Sequence, residues 1–160
     1  MKIKPRIDHI HITVTDLERA ERYYDRLLPL LGFDLSLKEH DHVPEHEYHI
    51  VEYHDRAFSI GLVNQREAYR GEKPSRRKAG ALHHLAFRAD GKAEVDALYE
   101  KIREIPQTVV VHAPRYYPEY AADYYAVFFK DPEGIEYEIV SLDREKYFPE
   151  QSEVDAGEAG

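Results

Sequence analysis

One histidine-bearing strand pattern occurs twice in this chain, and that repeat constrains the fold more than any other feature. Residues Ile7–Val14 read Ile-Asp-His-Ile-His-Ile-Thr-Val. Ile10, Ile12 and Val14 alternate with His9, His11 and Thr13, the period of a strand with one apolar face. A shift of 75 residues carries His9 onto His84, Ile12 onto Phe87, Tyr24 onto Tyr99 and Leu27 onto Ile102. After the first strand, Thr15-Asp-Leu-Glu18 has the form of a capping box. Leu17, Ala20, Tyr24, Leu27, Leu28 and Leu31 follow at the spacing of an amphipathic helix, which Pro29 disturbs and Gly32 ends. Phe33–Leu37, Tyr48–Tyr53 and Phe58–Val63 are then predicted strands.

The second copy runs in the same order. His84–Ala89 is an alternating strand. Val95, Leu98, Tyr99, Ile102 and Ile105 form a helical stripe stopped by Pro106. Thr108–His112, Tyr124–Phe129 and Ile135–Leu142 are the strands that follow. Asp131-Pro-Glu-Gly134 between the last two has the chemistry of a type I turn. The sequence therefore predicts an α+β fold made of two βαβββ modules, about 7–64 and 82–142, within one domain spanning 1–142. The joint, Asn64–Ala81, holds Arg66, Arg70, Lys73, Arg76, Arg77 and Lys78. It reads as a solvated linker or, more sharply, as an anion-attracting lid. Residues 143–160 read as a frayed acidic tail.

Composition removes whole classes of function. With no cysteine in 160 residues, disulfides, thiolate nucleophiles and cysteine-ligated metal clusters are excluded. A formal net charge of −9 argues against general nucleic-acid binding, which needs a basic face. No apolar run approaches the ~18 residues of a membrane span, and Met1–Arg6 lacks a signal-peptide core. A cytoplasmic protein with no membrane partner is the expectation. Ten histidines remain as potential neutral metal ligands or acid–base groups.

Strand parity sorts those histidines. His9 and His11 share the face opposite Ile10 and Ile12, and His84 holds the position equivalent to His9. In the closing strand, Glu136 and Glu138 alternate with Ile135, Tyr137 and Ile139. If the two modules pack as a pseudo-twofold pair, two imidazoles and one carboxylate can line one concavity. That is the donor set of a facial triad with open coordination positions. Three unconnected polar residues on solvated strand faces are the bland alternative.

The run His9-Ile-His-Ile-Thr-Val-Thr-Asp-Leu-Glu18, with Tyr23-Tyr24 and Leu31-Gly32-Phe33 behind it, resembles the vicinal oxygen chelate superfamily. That superfamily includes glyoxalase I, bleomycin-resistance proteins, fosfomycin-resistance enzymes, methylmalonyl-CoA epimerase and extradiol dioxygenases. His84-Leu-Ala-Phe87 and Asp131-Pro-Glu-Gly-Ile-Glu-Tyr-Glu138 resemble its second-module strand and closing turn. The resemblance covers about Ile7 to Leu142 and implies a curved mixed β-sheet around a central metal pocket. It places His9, His84 and Glu138 on ligand positions for one divalent ion, with Fe, Mn, Zn, Ni and Co all admissible. Its remaining ligand position falls near Gly61, where glyoxalase I keeps a glutamate and epimerases a glutamine. Phe128 stands where ring-cleaving dioxygenases carry a tyrosine. Both departures point to a glyoxalase-like branch, marked by Pro29-Leu-Leu-Gly-Phe33, whose chemistry the resemblance does not supply.

The leading reading is thus a metal-dependent lyase, isomerase or related enzyme acting on a small oxygen-chelating substrate. His11 and Glu136 are the proton-moving candidates, and Arg115, Tyr124 and Phe128 the substrate-binding ones. A non-catalytic protein that sequesters an antibiotic or other small molecule is one alternative; an extradiol-type dioxygenase is the other. The resemblance also allows a homodimer. His40, His42, His46 and His49 read as incidental histidines of a solvated loop, with weak metal binding as the sharper possibility.

Overall fold

Residues 5–149 are described in a computed structural model of the chain. Two βαβββ modules are present in the predicted order. The first comprises β1 (His9–Val14), α1 (Leu17–Leu27), β2 (Glu39–Val43), β3 (Tyr48–His54) and β4 (Ser59–Asn64). The second comprises β5 (Leu85–Arg88), α2 (Lys92–Ile102), β6 (Val109–Tyr116), β7 (Tyr125–Lys130) and β8 (Glu136–Ser141). Each builds its own four-stranded sheet, in orders β1-β4-β3-β2 and β5-β8-β7-β6. In both, the first strand runs parallel to the closing strand while the other neighbours are antiparallel. The two sheets are mixed, as expected, but among the described residues no ladder joins them into one. Among the described residues no helix is long and apolar enough to cross a membrane.

Alternation decides which way each strand faces. Ile12 and Val14 of β1 are buried while His9, His11 and Thr13 are exposed. Tyr137 and Ile139 of β8 enter the main core, and Glu136 and Glu138 take the opposite face. The core is shared: α1 contributes Ala20, Tyr24 and Leu27, and α2 contributes Val95 and Ile102, to one contiguous apolar cluster. Each module therefore turns its helix-bearing face inward and leaves its polar face on the other side.

Polar contacts across the core fasten the modules. The buried Tyr24 hydroxyl donates to Asp131 Oδ2 at 2.8 Å and accepts a short hydrogen bond from Tyr137. Asp131 Oδ1 also takes the backbone N–H groups of Glu133 and Ile135, at 2.9 and 2.8 Å. Glu133 in turn accepts from Arg19 at 2.6 Å and from the backbone N–H and hydroxyl of Thr15, both at 2.7 Å. The closing turn of the second module thus grips the first helix of the first module.

Several local expectations are corrected. Asp16, not Thr15, caps α1, accepting from the Arg19 N–H at 2.9 Å. Aspartate is as good a cap, and Thr15 is drawn to Glu133 instead. Leu35–Leu37 is a 3-10 turn rather than a strand. The second strand is Glu39–Val43, in the stretch read as a loop. Its residues are almost all exposed and polar, so it has no hydrophobic alternation to read; pairing with β3 alone makes it a strand. Strand β6 runs on to Tyr116 through two register shifts, its Pro114 tolerated on a sheet edge. A single helical turn, Arg144–Tyr147, capped by Asp143, lies within the segment read as frayed tail. Residues 150–160 of that segment are outside the described residues.

Burial pushes the Asp131 carboxyl up to about 6, with nearby Glu133 adding to the shift against the opposing hydrogen bonds. A carboxyl raised above its ordinary value of 3.8 is held protonated more tightly in the folded chain than in the unfolded one. Its stabilising contribution is full below the unfolded value and is lost as pH rises through about 6, a swing of about 3 kcal/mol. Asp131→Asn removes that dependence. Urea unfolding at pH 4 and pH 8 should show the variant gaining about 2 kcal/mol relative to wild type over the interval. A difference between the two proteins that stays constant with pH would contradict this.

Candidate metal and substrate site

Glu138 anchors the polar face of the second module. It lies opposite Ala86 on one side and Phe128 on the other, and is 2% exposed. Tyr124 donates a short hydrogen bond to its Oε1, and His84 Nε2 lies 3.3 Å from its Oε2. Burial raises the Glu138 carboxyl above the usual range, while Tyr124 and His84 pull it back. Burial, then the hydrogen bond to Glu138, raises the Tyr124 hydroxyl in turn. His84 Nδ1 is 2.8 Å from His83 Nδ1, which fixes the ring from its other side. A buried carboxylate oxygen is therefore held beside an oriented imidazole, as divalent-cation ligands are.

Around this pair stands an aromatic wall. Phe128 meets His84 edge-on at 6.2 Å between centroids and Tyr117 at 5.4 Å, and Tyr120 stacks on Tyr117 at 5.7 Å. Arg115 is exposed, its guanidinium 4.3 Å over the Tyr117 ring. Glu136 is buried; its Oε1 accepts from Arg76 of the linker at 2.8 Å, and its Oε2 has no partner among the described residues. The basic linker thus reaches this face. With β1 it also bounds a cavity of about 1050 Å³ lined by His11, Thr13, Lys73, Arg76, Lys78 and Lys130.

The first module carries a different set at the equivalent positions. Register places His11 where the second module has Ala86, Gly61 where it has Glu138, and Glu52 where it has Phe128. His11 Nε2 donates to Glu52 at 3.1 Å, and Tyr48 donates to His11 Nδ1 at 3.3 Å. A Cβ on residue 61 would sit 2.6 Å from His11 Cδ2 and 2.8 Å from Ile50 Cδ1. The His11 ring occupies the space that a side chain on residue 61 would fill, so a Cβ there would force the His11 and Ile50 side-chain ends to shift. His9 lies beside His11, ring centroids 4.8 Å apart, and donates to Asp8 at 2.8 Å.

The structure therefore gathers His84, Glu138, Tyr124 and Phe128 at one place, and His9 with His11 at another. Arg115 and Glu136 border the first group. Among the described residues, the one trio of histidine or acidic ligand atoms within 4.8 Å of one another is Glu39, Glu52 and His54. Sequence reading missed Glu52, His54 and Glu39. Parity within Tyr48–Tyr53 sets Glu52 on the face of Tyr48 and Ile50, which carries no polar signal, and Glu39 needed β2, whose pairing no pattern announced. The histidines of the supposed loop serve local contacts: His40 donates to Glu21 at 2.8 Å, and His42 stacks on His49 at 3.8 Å.

Comparison with known proteins agrees with this architecture. The model of the Glyoxalase/Bleomycin resistance protein/Dioxygenase superfamily matches residues 6–139. The uncharacterized protein YqjT of Bacillus subtilis (strain 168) is 30% identical over 134 residues, covering 83% of this chain and 96% of its own length. A Bacillus halodurans protein assigned to the glyoxalases is 26% identical with a TM-score of 0.65, over 85% of this chain and 95% of that one. A glyoxalase family protein from Enterococcus faecalis, 20% identical, shares the fold at a TM-score of 0.61, over 84% of this chain and 96% of that one.

The packing of His11 on Gly61 makes a direct prediction. Gly61→Ala should destabilise the chain by about 1–3 kcal/mol, the cost of overpacking. His11→Ala in the same chain should recover part of that loss, because the two changes share one space. Additive effects in the double mutant, measured by urea denaturation, would show that the ring does not depend on the glycine.

Proposed function

Because the chain belongs to the Glyoxalase/Bleomycin resistance protein/Dioxygenase superfamily, we propose that it is a divalent-metal-dependent enzyme acting on a small oxygen-chelating substrate. Lyase, isomerase or related chemistry fits the site best. The observation that carries this reading is the buried Glu138 carboxylate, set against the His84 imidazole and fastened by Tyr124. His84 and Glu138 would hold the cation, and His9, which sits beside His11 in the ion-free chain, would have to swing across to join them as third ligand. Two imidazoles and one carboxylate suit Fe, Mn, Co, Ni or Zn. When bound, such an ion polarises a substrate oxygen and stabilises negative charge as it develops.

The remaining roles belong to the chain's own groups. Tyr124 occupies one Glu138 oxygen and leaves the other directed at His84. Phe128 and Tyr117 wall the site against water. Arg115 offers a free fork to a substrate carboxylate or phosphate. Glu136, with one oxygen fixed by Arg76 and the other unpartnered, is placed to accept a proton. In the first module Tyr48, His11 and Glu52 form a chain of donors and acceptors that can hold or pass one. A homodimer in the cytoplasm belongs to the same proposal, the compartment resting on the absence of cysteine.

One alternative has its own support. Aromatic faces beside a buried carboxylate also suit a flat cationic ligand that is bound and not transformed. The same variant separates the two readings. Glu138→Gln should weaken binding of Mn²⁺ or Co²⁺ at this site at least about tenfold, with the far-UV spectrum unchanged. It should also remove turnover in a panel of α-keto-thiol adducts, acyl thioesters, epoxides and catechols. Metal affinity of the wild type should fall as the solution is acidified, because protons compete with the cation for its imidazole and carboxylate ligands. Tight, metal-independent binding of a bulky cationic drug, unaltered in Glu138→Gln, would establish the sequestering protein instead.

A further inference from the structure

We propose that Glu39, Glu52 and His54 form a second divalent-cation site, on the polar face of the first module and independent of His84 and Glu138. The register of the sheet supplies the first argument. Glu39 and Glu52 are direct cross-strand partners in the β2–β3 ladder. Like charges facing each other there destabilise a sheet unless something positive lies between them. Among the described residues no lysine or arginine is paired with either; Glu52 meets only His11 and Glu39 only His54.

His54 supplies the second argument. It lies two residues beyond Glu52 on the same strand and so shares its face. Its Nδ1 is 2.7 Å from the Ser59 hydroxyl across the ladder. Its Nε2 is buried, has no hydrogen-bond partner, and lies 3.6 Å from Glu39 Oε2. That distance is too long for a hydrogen bond. With Nδ1 held at Ser59, Nε2 is the ring nitrogen left open toward the two carboxylates. An imidazole fixed through its far nitrogen, with its near nitrogen left bare, is how metal-binding histidines are arranged.

The carboxylates complete the donor set. One ligand atom from each of the three residues lies within 4.8 Å of the others. Ligand bonds of roughly 2.0–2.3 Å call for contraction by about an ångström. Glu39, 73% exposed at its side chain, is free to swing in and make it. His11 holds Glu52 by one oxygen and leaves the other for the cation, so His11 acts here as a positioning residue. Two oxygens and one nitrogen suit a borderline cation such as Zn²⁺, Mn²⁺, Co²⁺ or Ni²⁺, with open positions for water or a ligand.

Zn²⁺ titration by calorimetry on the full chain, stripped with chelator and then dialysed, tests this. Glu39→Gln, an exposed change that leaves the core untouched, and His54→Gln should each abolish one class of ion, while Glu138→Gln leaves that class intact. Ser59→Ala should keep the stoichiometry and weaken this class about tenfold. If the proposed catalytic site fails but this one holds, wild type binds a single Zn²⁺ that is lost in Glu39→Gln and kept in Glu138→Gln. Unchanged stoichiometry and affinity in both Glu39→Gln and His54→Gln, or zinc lost only when Glu138 is replaced, would overturn the proposal.

Discussion

Tyr24 places a hydroxyl in the centre of an otherwise apolar core, and the two modules are arranged around what that hydroxyl needs. It finds Asp131 and Tyr137, both from the other module, and Asp131 finds the backbone of its own turn. A buried network of this kind stabilises only when each member is satisfied; one missing partner leaves a desolvated polar group behind. The Asp-Pro-Glu-Gly turn is thus more than a connection between β7 and β8. Through Asp131 it reads the middle of α1, and through Glu133 it reads the start of the same helix. Apolar burial alone would let the modules slide against each other. These directional bonds give them one register.

With helix faces turned inward, the histidine- and carboxylate-bearing faces are left for chemistry. The two faces share one strand pattern and differ along the row His11, Gly61 and Glu52 against Ala86, Glu138 and Phe128. The second module keeps a carboxylate on its closing strand, buried and held by Tyr124. The first has a glycine there, and a histidine from β1 leans over it toward a glutamate on β3. Each face retains an imidazole–carboxylate pair, built from different strands. The His11 ring lies over residue 61 in the space a side chain there would take.

Much of this was legible in the amino-acid order. The offset between His9 and His84 gave away the duplication, and parity in β1 and β8 set which residues face the core. His84, Glu138, Tyr124 and Phe128, expected in one pocket from strand parity and the family resemblance together, do lie side by side, whereas His9, expected with them, lies beside His11. What escaped depended on pairings that leave no local mark. Strand β2 is polar on both sides, so nothing in Glu-His-Asp-His-Val distinguishes it from a loop until β3 lies beside it. Thr15 has every attribute of a helix cap, and only a glutamate 118 residues away draws it elsewhere. Glu52 and His54 gain their interest from Glu39, His11 and Ser59, partners on three other strands.

Glu138 is the carboxylate on which the proposed metal binding at the second module depends. Anomalous diffraction at the cobalt edge from crystals of the Co²⁺-loaded protein tests it most directly. The account predicts an anomalous peak roughly 2.0–2.3 Å from His84 Nε2 and a Glu138 oxygen, with a His9 ring as a further ligand. Cobalt found only elsewhere, with Glu138 still bonded to Tyr124 and facing His84 across an unfilled gap, would contradict it.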